Sequence, residues 1–215
     1  MFEKLIKKKP KDDANQALMK PDNELKNHLD KLRSSVEKDI RQACMELKLS
    51  YPNDELIGFA LCTDDDVMSI YHVVCTKNWV NEHEPDYPDI RYLAVEWEQS
   101  ASEELFNEAQ DLVAMLAEIN YPTDNEWARA RDLRFVALVS ALEACRVSGI
   151  FSPNTLLTVG STDPSQYFQW LEMKAVEWLN EETIVDGFER ALGYSEYRNK
   201  KVVSHRSKKW WQFWK

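Results

Sequence analysis

The sequence predicts an α+β fold: a small, mainly antiparallel sheet of three to four strands packed with about five helices. Three observations predict it. Leu56 to Trp79, LIGFALCTDDDVMSIYHVVCTKNW, is two apolar runs broken by three consecutive aspartates, the signature of a hairpin. The segments on either side carry apolar residues at spacings of three and four, the period of amphipathic helices. Only 5 glycines occur in 215 residues and no Gly/Ser-rich stretch interrupts the middle, so residues 22–197 read as one domain.

Taken in order, MFEKLIKKKPK carries Phe2, Leu5 and Ile6 at helical spacing before lysines, and residues 1–21 read as a basic, partly mobile segment. From about Asn23 to Leu49, the positions Leu25, Leu29, Leu32, Val36, Ile40, Cys44 and Leu47 trace one face of a long helix, stopped at Tyr51-Pro52-Asn53. Leu56–Thr63 and Val67–Thr76 are the arms of the hairpin. Asp64, Asp65 and Asp66 repel one another and are strongly hydrated, which places them at an exposed turn. Lys77 to Pro88 reads as an irregular acidic loop anchored by Trp79 and Tyr87, and Ile90 to Trp97 as a short strand or helical turn.

Leu105, Phe106, Ala109, Leu112, Val113, Leu116 and Ile119 mark a second helix. Trp127 through about Val147 marks a third, with Gly149 placed to cap it. Thr155 to Gly160 is a short buried-strand pattern. Tyr167, Trp170, Leu171, Ala175, Trp178 and Leu179 fill the next helix, and Ile184, Phe188 and Leu192 the last.

Charge is distributed unevenly. Residues 1–20 carry six lysines against three acids, a balance of +3, and residues 198–215 carry seven basic groups and no acid. The body between them holds 14 basic and 34 acidic residues, a balance of -20. Such a body repels nucleic acid, whose binding rests on phosphate neutralisation by Lys and Arg. It attracts basic proteins, although a solubility role explains the charge equally well. Cys44, Cys62, Cys75 and Cys145 lie far apart, with no CxxC or Cys/His pair, so they read as core thiols in a reducing compartment. No apolar stretch reaches membrane-span length, which leads to the expectation of a cytoplasmic protein.

Candidate chemistry is sparse. The aspartate triplet lacks the spaced D-x-D-x-D-G loop that lets carboxylates converge on a cation, so a solvated turn outweighs a metal site. His72 and His83 lie near carboxylates, yet no nucleophile motif, phosphate loop, HExxH or GxSxG accompanies them. No cofactor and no catalytic residue is expected. The tail HRSKKWWQFWK sets Lys208, Lys209, Trp210, Trp211, Phe213 and Trp214 side by side, the composition of a membrane-surface anchor. A tail folding back onto the acidic body and a tail entering a protein partner are the competing readings.

FALCTDDD, KNW, AVEWE, SGIF and LLTVGSTDP, in that order, make the chain resemble the bacterial family called domain of unknown function 4303, from about Asp22 to Leu192. The resemblance implies a small α+β cytoplasmic protein without established enzymatic activity. It is similar in kind to bacterial immunity proteins, which neutralise toxins delivered by contact-dependent or type VI secretion. The expected function is therefore a non-catalytic one: binding a cognate basic toxin or effector. Asp64, Asp65, Asp66, Glu82, Glu84, Asp86 and Asp89 are the expected acidic face, with Trp79 and Tyr87 as anchors. The alternative is a regulator docked on the inner face of the membrane by its tail.

Overall fold

The computed structural model describes residues 23–97, 102, 104–162 and 164–194. Among them the chain forms helices α1 (Asn23–Ser50), α2 (Lys77–His83), α3 (Asn107–Glu118), α4 (Asp124–Val147), α5 (Gln166–Leu179) and α6 (Glu182–Leu192). The strands are β1 (Leu56–Thr63), β2 (Tyr71–Thr76) and β3 (Leu156–Ser161). The basic segments at either end, with the residues expected to contact a membrane, Lys208, Lys209, Trp210, Trp211, Phe213 and Trp214, lie outside the described residues.

The sheet order is β2-β1-β3. Strands β1 and β2 pair antiparallel, with Phe59 opposite Val74 and Cys62 opposite Tyr71. Strand β3 returns after α4 and pairs with β1 in parallel, Thr63 beside Ser161. The sheet is thus mixed, where the sequence suggested mainly antiparallel pairing. A parallel neighbour needs a long crossover, and the chain from β2 to β3, with three helices in it, supplies one.

Both faces of this sheet are covered, which is why β1 reads as a continuous apolar run and shows no alternation. Phe59 and Leu61 of β1, with Leu157 and Val159 of β3, join α1, α3, α4 and α5 in the larger core. Ala60, Cys62, Cys75 and Leu156 belong to the second cluster, which Trp79, Trp97, Met173 and Phe188 close. The Trp97 ring lies where Gly58 would carry a Cβ, and its Nε1 donates to the Ile90 carbonyl at 3.1 Å. All four cysteines are free and buried.

Two expectations change, and the choice left open at Ile90 to Trp97 falls to helical turns. Lys77 to Pro88 is not irregular throughout: Thr76 caps α2, its hydroxyl accepting from the Trp79 amide at 3.4 Å, and the chain turns only after His83. Ile90 to Trp97 makes two short 3-10 turns, Ile90–Tyr92 and Ala94–Glu96, and adds no strand. The second hairpin arm begins at Tyr71 and not at Val67, because Val67 takes a left-handed φ of 53° and buries its side chain inside the connection.

Candidate functional site

The carboxylates expected to form one acidic face are set at opposite ends of the sheet. Leu56 pairs with Thr76 at one end of the hairpin and Cys62 with Tyr71 at the other. Asp64 to Asp66 therefore leave β1 at the far end from α2, about 23 Å away at roughly 3.3 Å per strand residue.

At that far end the triplet organises the chain. Asp64 Oδ1 accepts from the amides of Asp66 at 2.9 Å and Met68 at 3.2 Å, and its Oδ2 accepts from the Ser69 hydroxyl at 2.7 Å. Asp65 Oδ2 accepts from the Ser165 amide at 2.8 Å, at the N-terminal cap of α5. The Asp66 carbonyl accepts from Arg134. The three residues are half-buried and not fully exposed as expected. Amide dipoles and the Arg134 charge offset their mutual repulsion, and the carboxylates of Asp64 and Asp65 are engaged within the fold.

Trp79 is corrected as well. It is only 8% exposed, packs in the second core and stacks on His83, with ring centroids 4.3 Å apart. Helical spacing turns it inward because α2 presents Trp79 and Val80 to the sheet. In that position it supports the surface from beneath.

What remains exposed is the outer side of α2 and the turns after it. Glu82, Glu84 and Asp86 are exposed, and Tyr87 stands 61% exposed beside them. The amides of Asp86 and Tyr87 both donate to the His83 carbonyl, at 3.1 and 3.0 Å, which fixes this turn on the helix end. Asp89 is half-buried, takes a φ of 66°, and sits 3.9 Å from the Arg190 guanidinium of α6. Helix α6 packs on the first 3-10 turn and carries exposed Asp186. This is an acidic surface with one projecting aromatic ring, underlain by Trp79.

The two candidate histidines sit in different settings. His72 is buried against Phe59 and Phe106, and burial lowers its pKa to about 4, leaving it neutral. His83 Nδ1 lies 2.7 Å from the Trp79 carbonyl. Two surface recesses of about 620 and 870 Å³ run along α1 and include neither histidine nor any residue of the triplet. Burial raises Cys62 to about 12, so its thiol stays protonated. Among the described residues no cluster of three or more His, Cys, Asp or Glu is grouped to hold a metal. No helix of the described residues is long and apolar enough to cross a membrane.

Three charged groups that carry the structure escaped the sequence reading. Arg134 is fully buried. Glu172 is 6% exposed, and burial raises its carboxyl to about 8. Asp132 accepts from the Tyr167 hydroxyl at 2.7 Å and pairs with Arg131, whose guanidinium lies 4.7 Å from the Tyr167 ring centre. A signal for two of them existed: Arg134 has Ala130, Ala137 and Leu138 at helical spacing, and Glu172 has Phe168, Ala175 and Val176, so each interrupts an apolar face.

A family model described as Domain of unknown function (DUF4303) matches residues 36–181. No curated protein and no solved structure matches the chain.

Proposed function

The chain belongs to the DUF4303 family, whose description assigns no function, and from its own surface we propose a cytoplasmic binding protein of the immunity type. In this reading it neutralises a basic toxin or effector by covering the groups that the effector uses. The observation that carries the reading is the exposed Tyr87 ring among Glu82, Glu84 and Asp86 on a helix end held from beneath by Trp79 and His83. A rigid aromatic residue supplies desolvated contact, and surrounding carboxylates speed encounter with a positive partner. The -20 balance of the body extends that field beyond the contact itself.

The test is affinity capture from the native cell with the full chain, followed by titration of the captured protein against two variants. Tyr87→Ala is expected to weaken binding by tenfold or more, and Glu82→Lys/Glu84→Lys/Asp86→Lys to slow association and flatten its salt dependence. Capture of a partner whose affinity ignores both variants and salt would overturn this surface.

A second reading is contact with anionic membrane through Lys208, Lys209, Trp210, Trp211, Phe213 and Trp214. Its support is the crowding of three of the eight tryptophans into the last six residues beside lysines. Liposome flotation of the full chain against one ending at Arg206 tests it; equal recovery in the soluble fraction removes it.

A further inference from the structure

The basic segment of residues 198–215 begins four residues after Tyr194, and Tyr194 belongs to the same core cluster as Trp79 and Ile90, beneath the acidic surface. The first 3-10 turn, Ile90–Tyr92, touches both α2 and α6, and a Cβ on Gly187 of α6 would meet the Tyr92 phenol. Arg190 of α6 lies 3.9 Å from Asp89. From Arg190 to Tyr194 the chain advances about 6 Å, and the extended stretch from Tyr194 to Arg198 spans at most about 14 Å. Arg198, Lys200 and Lys201 therefore fall within reach of Glu84, Asp86 and Tyr87.

Charge selects the same place. From Val80 to Asp89 the chain holds four carboxylates and no Lys or Arg, whereas residues 198–215 hold seven Lys or Arg and no acid. Helix α1 offers the segment no such field, because its six basic residues outnumber its five acids. Helix α3 is acidic, with Glu108, Asp111 and Glu118, but it packs on the opposite face of the sheet, in the larger core. Exposed ion pairs are individually weak. A short tether offsets that weakness, since it holds the segment at an effective concentration of about a millimolar.

We propose that the segment of residues 198–215 is the intramolecular occupant of the surface around Tyr87: its basic groups meet Glu82, Glu84 and Asp86, its tryptophans meet the exposed ring, and a partner must displace it. This rests on the reading of that surface as a binding site and adds its regulation. Tyr87, 61% exposed, gives an indole a face to stack on, and the carboxylates around it give the lysines their counter-charge. A weakly charged protein is kept out by the occupant, whereas a strongly basic one outcompetes it.

The experiment is carbodiimide coupling of lysines to carboxylates in the full chain, on an equal mixture of isotopically light and heavy protein, with the linked peptides read by mass spectrometry. Links from Lys200, Lys201, Lys208 and Lys209 to Glu82, Glu84 and Asp86 should join residues of one chain and exceed those to Glu108, Asp111 and Glu118 by about fivefold or more. Their yield should fall about threefold or more when salt rises from about 0.05 to 0.5 M. Trp210→Ala/Trp211→Ala/Trp214→Ala and, separately, Tyr87→Ala keep every lysine and carboxylate, and each should lower the yield by about threefold or more. Links spread evenly between the two sets of carboxylates, links that join light to heavy chains, or yields that ignore both aromatic variants overturn the proposal. No partner enters the coupling reaction, so its failure leaves the capture experiment to be judged by itself, and a captured partner that ignores Tyr87 leaves these links standing.

Discussion

Arg134 Nε donates to the carbonyl of Val67 at 2.9 Å, so a guanidinium with no solvent exposure holds the one left-handed residue of the β1–β2 connection. The same group reaches the Asp66 carbonyl at 2.8 Å and the Leu116 carbonyl of α3 at 3.4 Å. Burial lowers its pKa from a very high value, while Tyr121, Asp64 and Asp66 act the other way. It spans two carbonyls of the β1–β2 connection and one of α3, which also accepts from the Tyr121 hydroxyl at 2.9 Å.

Arg134→Met is expected to destabilise the protein by about 3–5 kcal/mol, since it orphans buried carbonyls. Arg134→Lys should recover little, because one ammonium cannot reproduce a planar fork. Urea unfolding midpoints check both, and a loss under about 1 kcal/mol for either variant would refute this account.

The pH dependence follows from two buried groups of opposite sense. His72, lowered to about 4, resists the charge that the unfolded chain takes up near 6.5, so its contribution is present above 6.5 and is lost as pH falls toward 4. Glu172, raised to about 8, is favourable below 4.5 and loses ground as pH rises toward 8. Between pH 4.5 and 6.5 the two slopes cancel, and from 6.5 to 8 the carboxyl alone lowers stability by about 2 kcal/mol. Chemical denaturation across this range should show that decline in the native chain, with Glu172→Gln abolishing it.

Gly58→Ala drives a methyl into the Trp97 ring, which cannot retreat while its Nε1 is bonded to Ile90. A loss of about 2–4 kcal/mol is expected. Trp97→Leu costs stability by itself but should relieve part of the alanine penalty, so a double-mutant cycle should return a coupling of 1 kcal/mol or more, roughly.

Carboxylates that look alike in the sequence should behave differently. Asp64→Ala removes the acceptor of two amides and the Ser69 hydroxyl, and is expected to cost about 2 kcal/mol. Glu82→Lys/Glu84→Lys/Asp86→Lys, all on exposed positions, should change stability by no more than about 0.5 kcal/mol per site. Thermal unfolding of the two variants separates the structural aspartate from the surface acids.

The sequence alone determined what depends on near neighbours along the chain. The stripe Leu29, Leu32, Val36, Ile40 places α1, the apolar runs around the triplet place β1 and β2, and the charge count makes the body acidic, because periodicity and composition are local properties. Tertiary structure decided which of those charges meet water. A hairpin arm that ends at Thr63 sends Asp64 to one end of the sheet and Glu82 to the other, and the N-terminus of α5 and the Arg134 fork then absorb the triplet. Trp79 went inward because a seven-residue helix, unforeseen in an acidic stretch with two prolines, had to cover the sheet. Glu172 and Arg134 became buried because their partners are carbonyls and hydroxyls of distant strands and helices, and no pattern along one helix records what will be folded against it.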